Sequence, residues 1–155
     1  MLCNELKCSQ CQYTSKTYNS FHDISLEVTG NKINTLKSAL DAFTVTETLS
    51  NGNEWRCGGC NRKVKATKQL TISTPPQVLI IHLKRFSYKL GKIEKQVSFD
   101  TTLELPCSGN SSRVKYELSG VIVHHGRSAH SGHYVAYVKV YLKVIFNASV
   151  CILTF

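Results

Sequence analysis

The chain has 155 residues, 42% of them hydrophobic, which is enough for one globular domain with a real core. It carries 19 Lys+Arg against 10 Asp+Glu, a formal charge of +9 that favours acidic partners or nucleic acid through its summed field. The basic residues are spread along the chain rather than gathered in a run, and no apolar segment reaches the length of a membrane span.

No signal peptide precedes the Asn-x-Ser sequons at Asn110 and Asn147, so both read as chance matches in an intracellular chain. Seven cysteines are an odd count, and four of them fall in two C-x-x-C pairs. Without a secretion signal, that pattern predicts metal in a reducing compartment.

Taken in order, Asn4 to Cys8 is a short half-polar run that leads into Cys8-Ser9-Gln10-Cys11. From Lys16 the chain reads as extended, with Phe21, Ile24, Leu26 and Val28 alternating as in a strand with one buried face. Gly30-Asn31 breaks it. Thr35 then reads as the N-cap of a short helix, with Leu36, Ala39, Leu40 and Phe43 at helical spacing. Ser50 to Asn53 is a turn, followed by Trp55 and Cys57-Gly58-Gly59-Cys60.

Each C-x-x-C offers two thiolates on a tight knuckle, and two such knuckles close a tetrahedral structural zinc site from Cys8, Cys11, Cys57 and Cys60. The 45 residues between the knuckles exceed a simple ribbon, so the helix is an insertion between them. A redox pair is the rival for one knuckle alone, and zinc-free buried thiols are the rival for both.

Ala66 to Ser73 reads as a strand leading to the turn Pro75-Pro76. Val78 to Phe86 is a nearly continuous apolar run, which predicts a strand buried on both faces. His82 inside it reads as a satisfied core histidine rather than a ligand. Lys84-Arg85 is either a solvated strand end or a partner-facing patch. Ser87 to Gln96 is a hairpin loop, Val97-Ser98-Phe99 and Leu103-Glu104-Leu105 are short strands, and Cys107 to Ser112 is a loop.

The last apolar runs, Leu118 to Val123 and Tyr134 to Val144, read as strands around a loop of glycines, serines and histidines. His133 stands at the mouth of the second strand, directly after Gly132, and such a position presents an imidazole to a cleft. His124, His125 and His130 lie in the flanking loop. The competing reading is a surface loop that happens to contain histidines.

In this order, Asn4-Glu5-Leu6-Lys7-Cys8-x-x-Cys11, Asp23-Ile24-Ser25-Leu26, Cys57-x-x-Cys60, Val78 to Phe86 and Gly132-His133-Tyr134 resemble the C-terminal half of a ubiquitin-specific protease. The resemblance implies an α+β, papain-like cysteine protease fold shaped as a hand. Residues 1–140 would be a fragment of it, with zinc-binding fingers and part of an antiparallel palm sheet. It implies that the cysteine pairs hold structural zinc at fingertips that grip ubiquitin. The loops around Lys89 to Lys95 and Arg127 to Gly132 would close over ubiquitin's C-terminal tail.

The resemblance also assigns His133 as general base. A cysteine thiol near its free pKa is a poor nucleophile at neutral pH, and an adjacent imidazole draws off its proton. The same ring then protonates the leaving amine, while a third residue orients it. The implied reaction is thiol-dependent hydrolysis of the bond after ubiquitin's C-terminal glycine, with ubiquitin and ubiquitinated proteins as partners, in nucleus or cytoplasm, away from membranes.

Two features depart from the family. Nothing resembles its Asn-x-Cys-Tyr box, since Cys3 and Cys107 have other neighbours and Cys151 lies beyond the matching region. The orienting Asn or Asp has one candidate, Asn147, in a different context. Residues 141–155 therefore read as an appended apolar tail, and this chain alone is expected to be inactive. A catalytically dead ubiquitin-binding module is a second reading. A basic zinc module for nucleic acid is a third, resting on charge and cysteines alone.

Overall fold

The computed structural model describes residues 1–89, 91–108, 113–128 and 130–140, together with the backbone of 149–154. The first strands split between two sheets. β1 (Leu2–Cys8) and β2 (Thr14–Asn19) form one hairpin, and β3 (Asp23–Glu27) departs for the other sheet. The extended stretch from Lys16 to Val28 is thus two strands, with the crossing between them at residues 20–22.

Helix α1 (Leu36–Phe43) starts where its cap predicts. The Thr35 side chain accepts from Ser38 N at 3.0 Å, and the Ser38 hydroxyl accepts from Thr35 N at 3.1 Å, a reciprocal capping box. Its apolar face, Leu36, Ala39 and Leu40, is buried.

After the helix come β4 (Glu47–Leu49), β5 (Trp55–Arg56), β6 (Lys63–Val64) and β7 (Ala66–Ile72). β7 runs antiparallel to β1 along its whole length, from Leu2 opposite Ile72 to Cys8 opposite Ala66. The resulting four-stranded sheet has the order β2-β1-β7-β4, and a small β5–β6 ribbon stands at its tip.

The second sheet holds the larger core. Its strands are β3, β8 (Val78–Lys84), β11 (Thr102–Pro106), β12 (Arg113–Ser128), β13 (Ser131–Val138) and β14 (Ser149–Thr154). A two-residue hairpin, β9 (Phe86–Ser87) with β10 (Gly91–Lys92), projects from the end of β8. The order is β11-β12-β14-β8-β3, with β13 also paired to β12.

The expected antiparallel palm sheet is instead mixed. The β3–β8, β8–β14 and β14–β12 ladders are parallel, and the β11–β12 and β12–β13 ladders are antiparallel. The connections explain this: the chain leaves after β3 through α1, β4, the β5–β6 ribbon and β7 before returning as β8. Long crossovers permit parallel pairing, whereas a tight turn does not.

Two local readings change as well. β8 alternates instead of being buried on both faces: Leu79, Ile81 and Leu83 are sealed, while Ile80 and His82 are half-buried. Each sealed side chain contributes about 1.5–3 kcal/mol through loss of water contact. Val97-Ser98-Phe99 does not form a strand. Its Val97 enters the core, and Ser98 exchanges backbone bonds with the segment capping α1 (Leu36 N to Ser98 O 2.8 Å, Ser98 N to Asn34 O 3.0 Å).

Residues 149–154, set apart in sequence within an apolar tail, form β14 between β8 and β12. Their run of Val150, Cys151, Ile152 and Leu153 has the composition of an interior parallel strand. Asn147 lies outside the described residues.

Candidate functional site

The two knuckles are built alike. In each, the first cysteine's N–H donates to the carbonyl five residues on: Cys8 to Tyr13 O at 2.9 Å and Cys57 to Arg62 O at 3.0 Å. In each, the residue after the second cysteine turns left-handed, Gln12 at φ 60° and Asn61 at φ 54°. Amide hydrogens point at the leading sulfurs, from Gln10 and Cys11 to Cys8 Sγ and from Gly59 to Cys57 Sγ.

The sheet then brings the knuckles together. β1 ends at Cys8, the β5–β6 ribbon carries Cys57, and all four sulfurs lie within 4.8 Å of one another. Tyr13 of the first knuckle lies so close over Gly59 of the second that a Cβ there would sit 2.7 Å from Tyr13 Cβ. Tyr13 also stacks on Trp55 at 6.3 Å. Neither aromatic contact was foreseen in the sequence, although Gly58-Gly59 within a knuckle is the signal for such a close approach.

The donor set fits a thiophilic metal ion. The Cys11 N–H holds the Cys8 thiol down at about 6, against the opposing effect of burial. The Arg62 N–H lowers Cys60 likewise. Cys11 receives a lowering bond from the Tyr13 amide, but burial and the sulfurs of Cys8, Cys57 and Cys60 carry it up to about 11. Four thiols this close cannot all ionise alone, and a cation among them removes the conflict.

The second group of predicted residues lies on the β12–β13 hairpin. His124 pairs with Tyr134 and His125 with His133 in the ladder, so the two pairs point to opposite faces of the ribbon. His124 is inside, 4% exposed, with its ring 4.8 Å from Tyr134 and edge-on to Phe86 at 5.5 Å. Tyr134 itself stays 54% exposed, with its ring lying against His124. His125 and His133 are exposed on the other face. His130 is also exposed, and its amide bonds Ser128 Oγ.

Gly132 has φ +153°, and a Cβ on it would overlap His124 Nε2. The turn therefore closes only because residue 132 is a glycine over a buried ring. His82 is not in the core as expected but half-buried on the other face of β8, with Nδ1 3.3 Å from Ser25 Oγ. Among the described residues no cysteine has a histidine as hydrogen-bond partner. Cys3 is buried in β1, and burial raises the Cys107 thiol. Arg85, read in the sequence as a solvated strand end or a partner-facing patch, is half-buried instead. Arg85 Nη1 donates to Ile93 O and Lys95 O, holding the segment after β10. A cavity of about 520 Å³, lined by Arg85, Lys92, Lys95, Val97, Val123 and His124, lies between that segment and β12.

A four-stranded sheet tipped by four cysteines is thus joined to a mixed sheet that carries a glycine-histidine hairpin. The family model described as ubiquitin carboxyl-terminal hydrolase matches residues 1–146, and the chain belongs to that family. It is 42% identical over 144 residues to ubiquitin carboxyl-terminal hydrolase 23 of Arabidopsis thaliana, covering 88% of this chain and 16% of that protein. It is 37% identical over 140 residues to the probable ubiquitin carboxyl-terminal hydrolase 16 of Schizosaccharomyces pombe, covering 87% of this chain and 30% of that one. The fold is similar to that of the SAGA Ubp8/Sgf11/Sus1/Sgf73 DUB module bound to ubiquitin aldehyde, with TM-score 0.77 and 32% identity over 90% of this chain and 33% of the solved one. The chain thus spans a third or less of the proteins and structures it matches here.

Proposed function

We propose that this chain is the finger-and-palm part of a papain-like, cysteine-type deubiquitinase, and that His133 is its general base. The observation that carries the reading is the hairpin. A glycine over a buried ring closes the turn, and the next residue offers an exposed imidazole at the start of a strand. Membership of the ubiquitin carboxyl-terminal hydrolase family supports the substrate class. The related modules were solved with ubiquitin or its aldehyde bound, which supports ubiquitin as partner.

In this reading, a thiol from another part of the catalytic domain attacks the carbonyl of ubiquitin's C-terminal glycine. His133 takes the thiol proton and returns it to the departing lysine amine, and in the second half water cleaves the thioester with the same base. Cys8, Cys11, Cys57 and Cys60 hold a zinc ion whose part is structural. Bound there, it ties the first sheet to the β5–β6 ribbon and takes no part in the reaction.

The test is a completed catalytic domain, in which the preceding half of a relative is joined to this chain. It should cleave a ubiquitin-amide substrate. His133→Ala should lower kcat by about 10³-fold or more, because base and acid are both lost. His125→Ala and His130→Ala should cost far less. Equal losses at His130 or His125 would move the base to another position.

A further inference from the structure

One side chain joins the β9–β10 hairpin to the turn of β12. Lys92 Nζ donates to His124 O at 2.8 Å and to Gly126 O at 2.7 Å, across more than thirty residues of sequence. The two carbonyls flank His125, and His125 is the residue opposite His133. Just beyond, between His125 and Ser128, the register slips. At such an irregularity the ladder no longer fixes the spacing of the two strands.

Among the described residues no carboxylate lies within ion-pair distance of Lys92, and both of its recorded bonds go to carbonyls. The residue is half-buried at the edge of the cavity beside β12. A partly buried charge needs its donors satisfied, and here two of the ammonium's three N–H groups bond the turn. From the other side, the His124 ring fills the space beneath Gly132. The turn is thus held between a ring and an ammonium.

We infer that Lys92 is a positioning residue, a strap whose two hydrogen bonds fix the irregular β12 turn and so set where His133 presents its imidazole. The inference rests on the reading of His133 as the base. A methyl-ended side chain of the same reach removes the strap, while a guanidinium can restore it.

The first test is amide hydrogen exchange on the full chain. Lys92→Met should speed exchange at His125, Arg127, His133 and Tyr134 by about tenfold or more while β1, β7 and β8 keep their rates. Lys92→Arg should recover most of the protection. No change at the hairpin, or equal acceleration in every strand, overturns the strap. The second test uses the completed catalytic domain. There Lys92→Met should lower kcat about tenfold with KM within about twofold, and Lys92→Arg should restore it. A rise in KM at unchanged kcat overturns the positioning role. Retained activity in His133→Ala overturns the base assignment, and with it the catalytic half of this inference, even where exchange shows the strap intact.

Discussion

Tyr116 shows how much one side chain can tie together. It is fully buried, and its hydroxyl donates to Pro76 O at 2.5 Å, linking β12 to the turn before β8. Burial pushes its phenol up to about 12, and Cys107 adds to the rise. The folded chain therefore keeps a proton that the unfolded chain loses near its ordinary value of about 10. Stability from this residue is complete below that value and is lost as pH rises towards 12. Tyr116→Phe should flatten the fall in thermal midpoint over that alkaline range, at the cost of about 1 kcal/mol at neutral pH for the lost hydrogen bond. An unchanged alkaline slope in the variant would show that other groups carry it. By contrast the exposed ion pairs, such as Lys37 with Asp41 and Lys68 with Glu47, contribute about 0–1 kcal/mol each.

At the scale of elements, α1 is short enough that its cap decides much of it. Eight residues are marginal for an isolated helix. The Thr35 box satisfies its first turn, and the same segment bonds Ser98. Thr35→Ala should cost about 1 kcal/mol in urea denaturation, with the slope unchanged. A loss near zero would mean that the Ser98 bonds hold the helix start unaided. This helix was legible in the sequence because its signals are local: a capping residue, then Leu36, Ala39, Leu40 and Phe43 at helical spacing. The knuckles were legible for the same reason. What escaped was set at a distance. The parallel order of β3, β8 and β14 depends on connections dozens of residues long, which no periodicity records. The Lys92 strap and the Tyr13–Trp55 stack join residues that are unremarkable in their own neighbourhoods. Val97-Ser98-Phe99 carries a strand's alternation, but only Ser98 bridges a neighbour, the helix cap, so the pattern overstated its structure.

At the scale of the molecule the described residues form two cores. One holds Ile24, Leu26, Leu79, Ile81, Leu83 and Tyr116 beneath α1, and the other is only Cys8, Cys57 and Val64, with Trp55 and Cys60 against it. The smaller one has too little apolar surface to hold itself, so a metal ion held by its cysteines would be its main source of order. Structural zinc in small modules is worth on the order of 10 kcal/mol of apparent folding energy. The purified chain should contain one zinc. Its removal by a chelator, or Cys57→Ser, should release amide protection in β5, β6 and the ends of β1 and β7 while β3 and β8 keep theirs. Folded protein free of zinc by elemental analysis would sink the idea.

The position of β14 has a consequence for biosynthesis. In the backbone ladders of the second sheet, β3 and β8 stand on one side and β11, β12 and β13 on the other, and β14 joins them. A ribosome delivers residues 149–154 after every strand they connect. Until then β8 and β12 each present a row of unpaired N–H and C=O groups, the kind of edge that recruits strands from other nascent chains. The two halves of the sheet therefore wait on the same six residues. A frameshift or splice change between residues 138 and 149 would leave all the cysteines of the knuckles and His133 intact in the message, yet deliver a protein with its sheet unjoined.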